Sequence, residues 1–187
     1  MFTLPLILCM LAVSNVARTN KLDYAENPAH YSEQKLSEMA AVNETLFVHK
    51  RNYKTNTTFR CLSATKLEDL GGNSYKYRLK ARIGASSNYY NYTVIVTANK
   101  TGAHPEPNAA IYQEDPTEER MNHKIVTMDD RRTCFVVARE TSNNTKECFI
   151  LVTQSAVKQG PSQKCQKVYR RYCGGKSRTL YRPLCEA

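Results

Sequence analysis

Tryptophan is absent from the 187 residues, glycine and proline number seven each, and 17 acidic side chains face 27 basic ones. So little glycine and proline excludes a collagen-like or low-complexity chain. No apolar stretch of about 20 residues follows the N-terminus, so neither a membrane-spanning helix nor a membrane partner is expected. The net charge of +10 is modest for this length and does not by itself mark a nucleic-acid binder. Catalytic signatures are also missing: the chain has no H-E-x-x-H and no G-x-S-x-G, and His30, His49, His104 and His123 fall in no metal-ligating spacing. His49 and His123, the pair that a nuclease reading would need, read as surface residues. The acidic run Glu114-Asp115-Pro116-Thr117-Glu118-Glu119 reads as a solvated loop rather than a calcium site. No enzymatic activity, cofactor or metal is therefore expected.

What is present begins with an apolar run from Met1 to Val13, followed by small residues at Ser14 and Ala17 and a first charge at Arg18. This is the pattern of a secretory signal peptide occupying residues 1–17, with cleavage after residue 14 or 17, and a mature domain over 18–187. Loss of Cys9 with the signal leaves six cysteines, Cys61, Cys134, Cys148, Cys165, Cys173 and Cys185, an even number suited to a fully paired extracellular domain. Glycosylation sequons lie at Asn43, Asn56, Asn91, Asn99 and Asn143, where chance would supply about two. The expected localisation is secreted and extracellular, and a monomer is expected.

After a Pro28-initiated helix expected over 27–42, eight short segments rich in β-branched and aromatic residues follow. They span about 45–53, 58–67, 74–83, 88–98, 109–113, 123–128, 133–139 and 147–153. Their near-regular spacing and hairpin-type turns predict an antiparallel barrel or sandwich. In 74–83, Lys76, Arg78, Lys80 and Arg82 share a face, read as the solvated one, opposite Tyr75, Tyr77, Leu79, Ala81 and Ile83. In 88–98 the sequon at Asn91 must point outwards, which turns Tyr90, Tyr92, Val94 and Val96 inwards. Four inward tyrosines make an unusual core, because each buried phenol needs a partner. A barrel that holds a small ligand would use them. Finally, Cys165, Val168, Tyr169, Tyr172 and Cys173 form one helical stripe in 161–176, opened by Pro161 and closed by Gly174-Gly175.

The ordered set of short motifs over the mature chain resembles the tick salivary lipocalins, the histamine-binding-protein family. The matching residues are Phe47-Val48 with Tyr53-Lys54, Arg60-Cys61-Leu62, Thr133-Cys134-Phe135-Val136-Val137 and Glu147-Cys148. Lys164-Cys165, Tyr169, Tyr172-Cys173 and the terminal Leu184-Cys185-Glu186-Ala187 complete the set. The resemblance implies an all-β fold with a C-terminal helix, an eight-stranded antiparallel lipocalin barrel. It also implies the pairings Cys61–Cys185, Cys134–Cys165 and Cys148–Cys173. With Cys134 and Cys148 facing the helix, alternation turns Phe135, Val137, Phe149 and Leu151 inwards.

Amine-binding members of that family read Cys-Asp-aliphatic and then Glu-Leu-Trp in these strands. Here both carboxylates are replaced, by Phe135 and Phe149, and the tryptophan by Leu151, while Tyr53 matches a tyrosine that lines the amine pocket. A buried ammonium without a carboxylate is disfavoured by about 3–5 kcal/mol, and tyrosine faces return only about 1–2 kcal/mol of it. The resemblance thus implies a scavenger of small host mediators that suppresses inflammation and haemostasis. The ligand would be a biogenic amine such as histamine or a lipid such as a leukotriene or fatty acid. The replaced carboxylates favour the lipid. The cavity expected from these readings is lined by Tyr53, Tyr75, Tyr77, Tyr90, Tyr92, Phe135, Phe149 and Leu151. An alternative is a lipocalin that binds a host plasma protein and inhibits complement or platelet components through its loops.

Overall fold

The structure is a computed structural model that describes residues 22–84, 87–141 and 145–186. The apolar N-terminal run, its cleavage positions and the sequon at Asn143 lie outside the described residues. Eight strands form one antiparallel sheet that closes on itself: β1 Leu46–Arg51, β2 Phe59–Gly71, β3 Ser74–Ile83, β4 Tyr89–Asn99, β5 Ala109–Tyr112, β6 Met121–Met128, β7 Cys134–Arg139 and β8 Glu147–Thr153. Each strand pairs with its sequence neighbour, and β1 closes the ring between β8 and β2. Closure removes the exposed edges that an open sheet of this length would carry. A two-residue strand, β9 (Arg178–Thr179), covers the outer end of β1.

Strands β7 and β8 are buried at every position but Glu147, because both of their faces are covered. Phe135, Val137, Phe149 and Leu151 join the inner core with Leu46, Tyr77, Val94, Val96 and Ile125. Cys134, Val136, Cys148, Ile150 and Val152 face outwards into a second core beneath helix α2, Gln163–Tyr172. That helix follows the buried Pro161, is capped by Ser162 accepting from the Cys165 amide, and turns Cys165, Val168 and Tyr169 onto the barrel. Gly174, at φ 57°, takes the left-handed conformation that stops it.

Disulfides join Cys134 to Cys165, Cys148 to Cys173 and Cys61 to Cys185. Cys61 sits at a register break between Arg60 and Ser63 with φ 50°, a local twist that aims its sulfur at the C-terminal segment.

The single helix expected over 27–42 is instead broken into 3-10 turns at Tyr24–Glu26 and Pro28–Glu33 and a short helix α1, Leu36–Ala40. Side chains interrupt it. Gln34 is fully buried and donates to the carbonyls of Tyr24 and Val126, and the Leu36 amide is tied to the Pro107 carbonyl. Asn43, Asn56 and Asn91 are exposed, whereas Asn99 is half-buried with its amide directed to Asn122 Oδ1 at 3.4 Å. No helix among the described residues is long and apolar enough to cross a membrane.

The bridges enclose segments of very different length, 124 residues for Cys61–Cys185 against 31 and 25 for the other two. Chain-entropy scaling gives about 5 kcal/mol for the long one and about 3.5 for each short one. Replacing Cys61 and Cys185 together by Ser should lower the thermal midpoint more than replacing Cys148 and Cys173, as measured by calorimetry on matched samples.

Candidate ligand-binding site

The barrel lumen retains a cavity of about 70 Å³. Helix α1 lies across one side of it with Leu36 and Met39, and the opposite end carries Phe149 and Glu114. A volume of this kind admits about five water molecules, well short of the roughly 300–1,000 Å³ that enclose drug-sized ligands. The walls are predominantly apolar.

Tyr75, Tyr77, Tyr92, Phe149 and Leu151 stand on this wall. Tyr53 and Phe135 belong to the same inner core but do not reach the cavity, Phe135 being packed beneath it with no exposure. Tyr90 does not belong to the lumen. It is 40% exposed at the start of β4 and stacks on Phe59, with ring centroids 5.9 Å apart. Strand parity turns it the right way, opposite the buried Ala81 of β3, but its ring packs against Phe59 and Tyr92 rather than onto the cavity. The hydroxyls of Tyr75, Tyr77 and Tyr112 form no hydrogen bond among the described residues, although all three rings line the cavity. Burial pushes the Tyr77 phenol up to about 12, so it stays protonated and able to donate.

The acidic run 114–119 departs most from its expected role, because Glu114 and Asp115 fold inwards. Glu114 is only 10% exposed in its side chain, and it is surrounded. Tyr53 donates to Oε1 at 2.6 Å, Arg51 Nη1 lies 3.7 Å from the same oxygen, and Arg139 Nη1 and His123 Nε2 each lie 3.5 Å from Oε2. Tyr92 donates to the Glu114 carbonyl, and Thr57 to Asp115. Arg139 reaches on to Glu118 at 2.9 Å and lies over the Tyr53 ring at 4.4 Å. Burial by itself would raise the Glu114 carboxyl, but His123, Arg139 and the Tyr53 hydroxyl together hold it below its ordinary value. Burial and the neighbouring carboxylate push the Tyr53 phenol far up. His123, expected at the surface, is buried, stacked on Tyr112 at 4.0 Å with Nδ1 on the Met121 carbonyl at 2.9 Å. His49 is half-buried.

Strand parity carries most of these residues inwards. Ala110 and Tyr112 continue to Glu114, Phe135 and Val137 to Arg139, and Ile125 back to His123. That alternation is present in the sequence: His123 and Arg139 lie within their strands, and one further step beyond Tyr112 reaches Glu114. Arg51 is different. A register shift between Val48 and Lys50 exchanges the faces of β1 and brings Arg51, and Tyr53 after it, to the inside. Among the described residues no cluster of His, Cys, Asp and Glu is placed to hold a metal ion.

The polar end is a stabilising network with a defined acid sensitivity. Because Glu114 is held below its unfolded value, its contribution is complete above the ordinary carboxylate range and is lost as pH falls through the folded value. Glu114→Gln leaves two guanidiniums without their buried counter-charge and should cost about 3–5 kcal/mol at pH 7. Urea unfolding at pH 7 and pH 4 checks this: the difference between wild type and variant should shrink in acid.

Solved structures share this architecture. Japanin from Rhipicephalus appendiculatus, bound to cholesterol, is 11% identical with a TM-score of 0.54 over 75% of this chain and 93% of its own. AM182 in its serotonin complex is 11% identical with a TM-score of 0.56 over 87% of this chain and 90% of its own. At such identities the likeness is one of fold. No curated protein matches the chain in sequence. A family model described as tick histamine binding protein matches residues 24–187.

Proposed function

We propose that this chain, which belongs to the tick histamine-binding protein family, is a secreted lipocalin that sequesters a small amphipathic host mediator. A lipid with a carboxylate or hydroxyl head group is preferred to a biogenic amine. Family and fold are those of small-molecule-binding lipocalins rather than of enzymes. Japanin is bound to cholesterol and AM182 forms a serotonin complex, so structures of this fold serve both ligand classes, and in this reading the lumen side chains choose between them.

One observation carries the choice: the lumen offers no uncommitted carboxylate. Positions 135 and 149 are phenylalanine, and Glu114, the acidic residue on the cavity wall, already faces Arg139, Arg51 and His123. An ammonium entering there would meet two guanidiniums as well as the carboxylate, with nothing gained over water. The free hydroxyls of Tyr77 and Tyr112 suit a ligand that accepts hydrogen bonds, and each buried CH₂ of an apolar body contributes about 0.8 kcal/mol. Size restricts the apolar body. A long acyl chain needs more than 70 Å³, and the unbranched, half-buried Met39 is the wall residue best suited to yield space. Suppression of host inflammation and haemostasis would follow from removal of such a mediator.

Calorimetric titration of the refolded six-cysteine protein with arachidonate, a leukotriene, histamine and serotonin tests this reading. The lipids should bind and the amines should be weaker by tenfold or more, the margin expected when a charge-assisted hydrogen bond is missing. Submicromolar histamine affinity would overturn it, and silence across the panel would shift the role to a protein partner. Phe149→Glu, checked for folding by circular dichroism, should raise histamine affinity by about tenfold by restoring a carboxylate to the wall.

A further inference from the structure

Charge is distributed very unevenly along this chain. Between Cys148 and Cys185, 38 residues contain eight basic side chains and no Asp or Glu, leaving the other 149 residues nearly neutral, with 19 basic against 17 acidic. The fold gathers this segment on one outer face. Lys167, Arg170 and Arg171 are exposed on α2, and Arg170 and Arg171 occupy its last turn, where the helix dipole favours them. Lys176, Arg178 and Arg182 are exposed on the segment that returns along β1.

Between them lies a cleft of about 530 Å³ lined by His49, Lys50, Lys158, Gln166 and Arg182, with no acidic residue on its walls. Lys50 joins the cleft to the helix: its ammonium sits over the Tyr169 ring at 4.7 Å. Burial, with Arg170 repulsion added, lowers its affinity for a proton. Of the eight bases, Lys164 pairs with Glu33 and Asp130 at 3.1 Å each. Lys167, Arg170, Arg171, Lys176, Arg178 and Arg182 make no ion pair among the described residues.

A row of like charges kept together without counter-charges is a standing repulsion that a polyanion relieves. Aromatic faces for base stacking are missing here, since Tyr169 and Tyr181 are buried and Tyr172 is half-buried under Lys146. Leu184 is the one strongly exposed large apolar side chain in the segment, too little to insert into a bilayer. A chain with three disulfides belongs to an oxidising compartment, where sulfated polysaccharides are the abundant polyanions. From the juxtaposition of the α2 face, the Lys50 cleft and the C-terminal return, we propose that this surface docks a sulfated glycosaminoglycan chain. The guanidiniums of Arg170, Arg171 and Arg178 grip sulfates, and the cleft receives one saccharide unit. Docking there leaves the barrel lumen on the other side of the sheet unobstructed.

The test compares two variants of equal net charge by calorimetry with a heparin dodecasaccharide across a NaCl series. Arg170→Ser/Arg171→Ser/Arg178→Ser removes three bases from the proposed surface. Lys54→Ser/Arg78→Ser/Lys100→Ser removes three exposed bases elsewhere. The wild type should bind at physiological salt. The first variant should lose about tenfold in affinity and show a shallower salt dependence, while the control changes little. Equal losses in both variants would reduce the effect to net charge and overturn the assignment. So would tighter binding to single-stranded DNA or to phosphatidylserine vesicles than to heparin, or no wild-type binding at physiological salt. All six positions are exposed, and thermal unfolding of each variant verifies that the fold is intact.

Discussion

The structure depends on the covalent attachment of α2 to the outward faces of β7 and β8. A strand has only two faces, so a disulfide that fixes one residue outwards fixes the parity of every residue beside it. Cys134 and Cys148 are held against Cys165 and Cys173, which commits Phe135, Val137, Phe149 and Leu151 to the interior. The same staples bury the outward set, Val136, Ile150 and Val152, under the helix. Two cores therefore share two strands, and the near-continuous apolar sequence of these strands answers to both.

Within that frame the lumen divides by polarity. Aliphatic side chains and tyrosine rings enclose the cavity, and the closed carboxylate network gathers at one end of it. The network gathers two arginines, two glutamates and His123 in a space that water scarcely enters, where each charge is tolerable only because the others are present. Such a carboxylate is structural in character. Its oxygens face Tyr53 and Arg51 on one side and His123 and Arg139 on the other. That leaves the hydroxyls of Tyr75, Tyr77 and Tyr112 as hydrogen-bonding groups of the cavity wall that have no partner among the described residues. The chemistry of the lumen thus differs from one in which acidic residues wait for a cation, even with a carboxylate on the cavity wall.

The outside of the barrel is segregated too. Bases on β3 are interspersed with partners, as where Lys76 faces Glu68 at 3.8 Å and Lys80 lies over Tyr89 at 3.9 Å. On the α2 side, Lys164 pairs with Glu33 and Asp130, whereas Lys167, Arg170, Arg171, Lys176, Arg178 and Arg182 make no ion pair among the described residues. Lumen and outer face are separated by the sheet itself, so a ligand inside and a polyanion outside would meet different residues of the same strands.

Much of the barrel was legible in the sequence because strand periodicity is a local property. Eight short segments, the helical stripe from Cys165 to Cys173 and the inward placement of Tyr75, Tyr77 and Tyr92 follow from spacing of neighbours along the chain. That of Phe149 follows only once the disulfide pairing implied by the family resemblance is given, because β8 is apolar on both faces. The concentration of positive charge near the C-terminus is likewise a matter of counting. Three features were decided only by tertiary structure. The shift at Val48/Lys50 turns Arg51 inwards, against the alternation of its own strand, because β1 must match β8 on one side and β2 on the other. Glu114 is buried because residues from β1, β6 and β7 converge on it, and no local window contains them. The volume left in the lumen is a small difference between a backbone envelope and the rotamers of a dozen side chains. Only their simultaneous packing sets it.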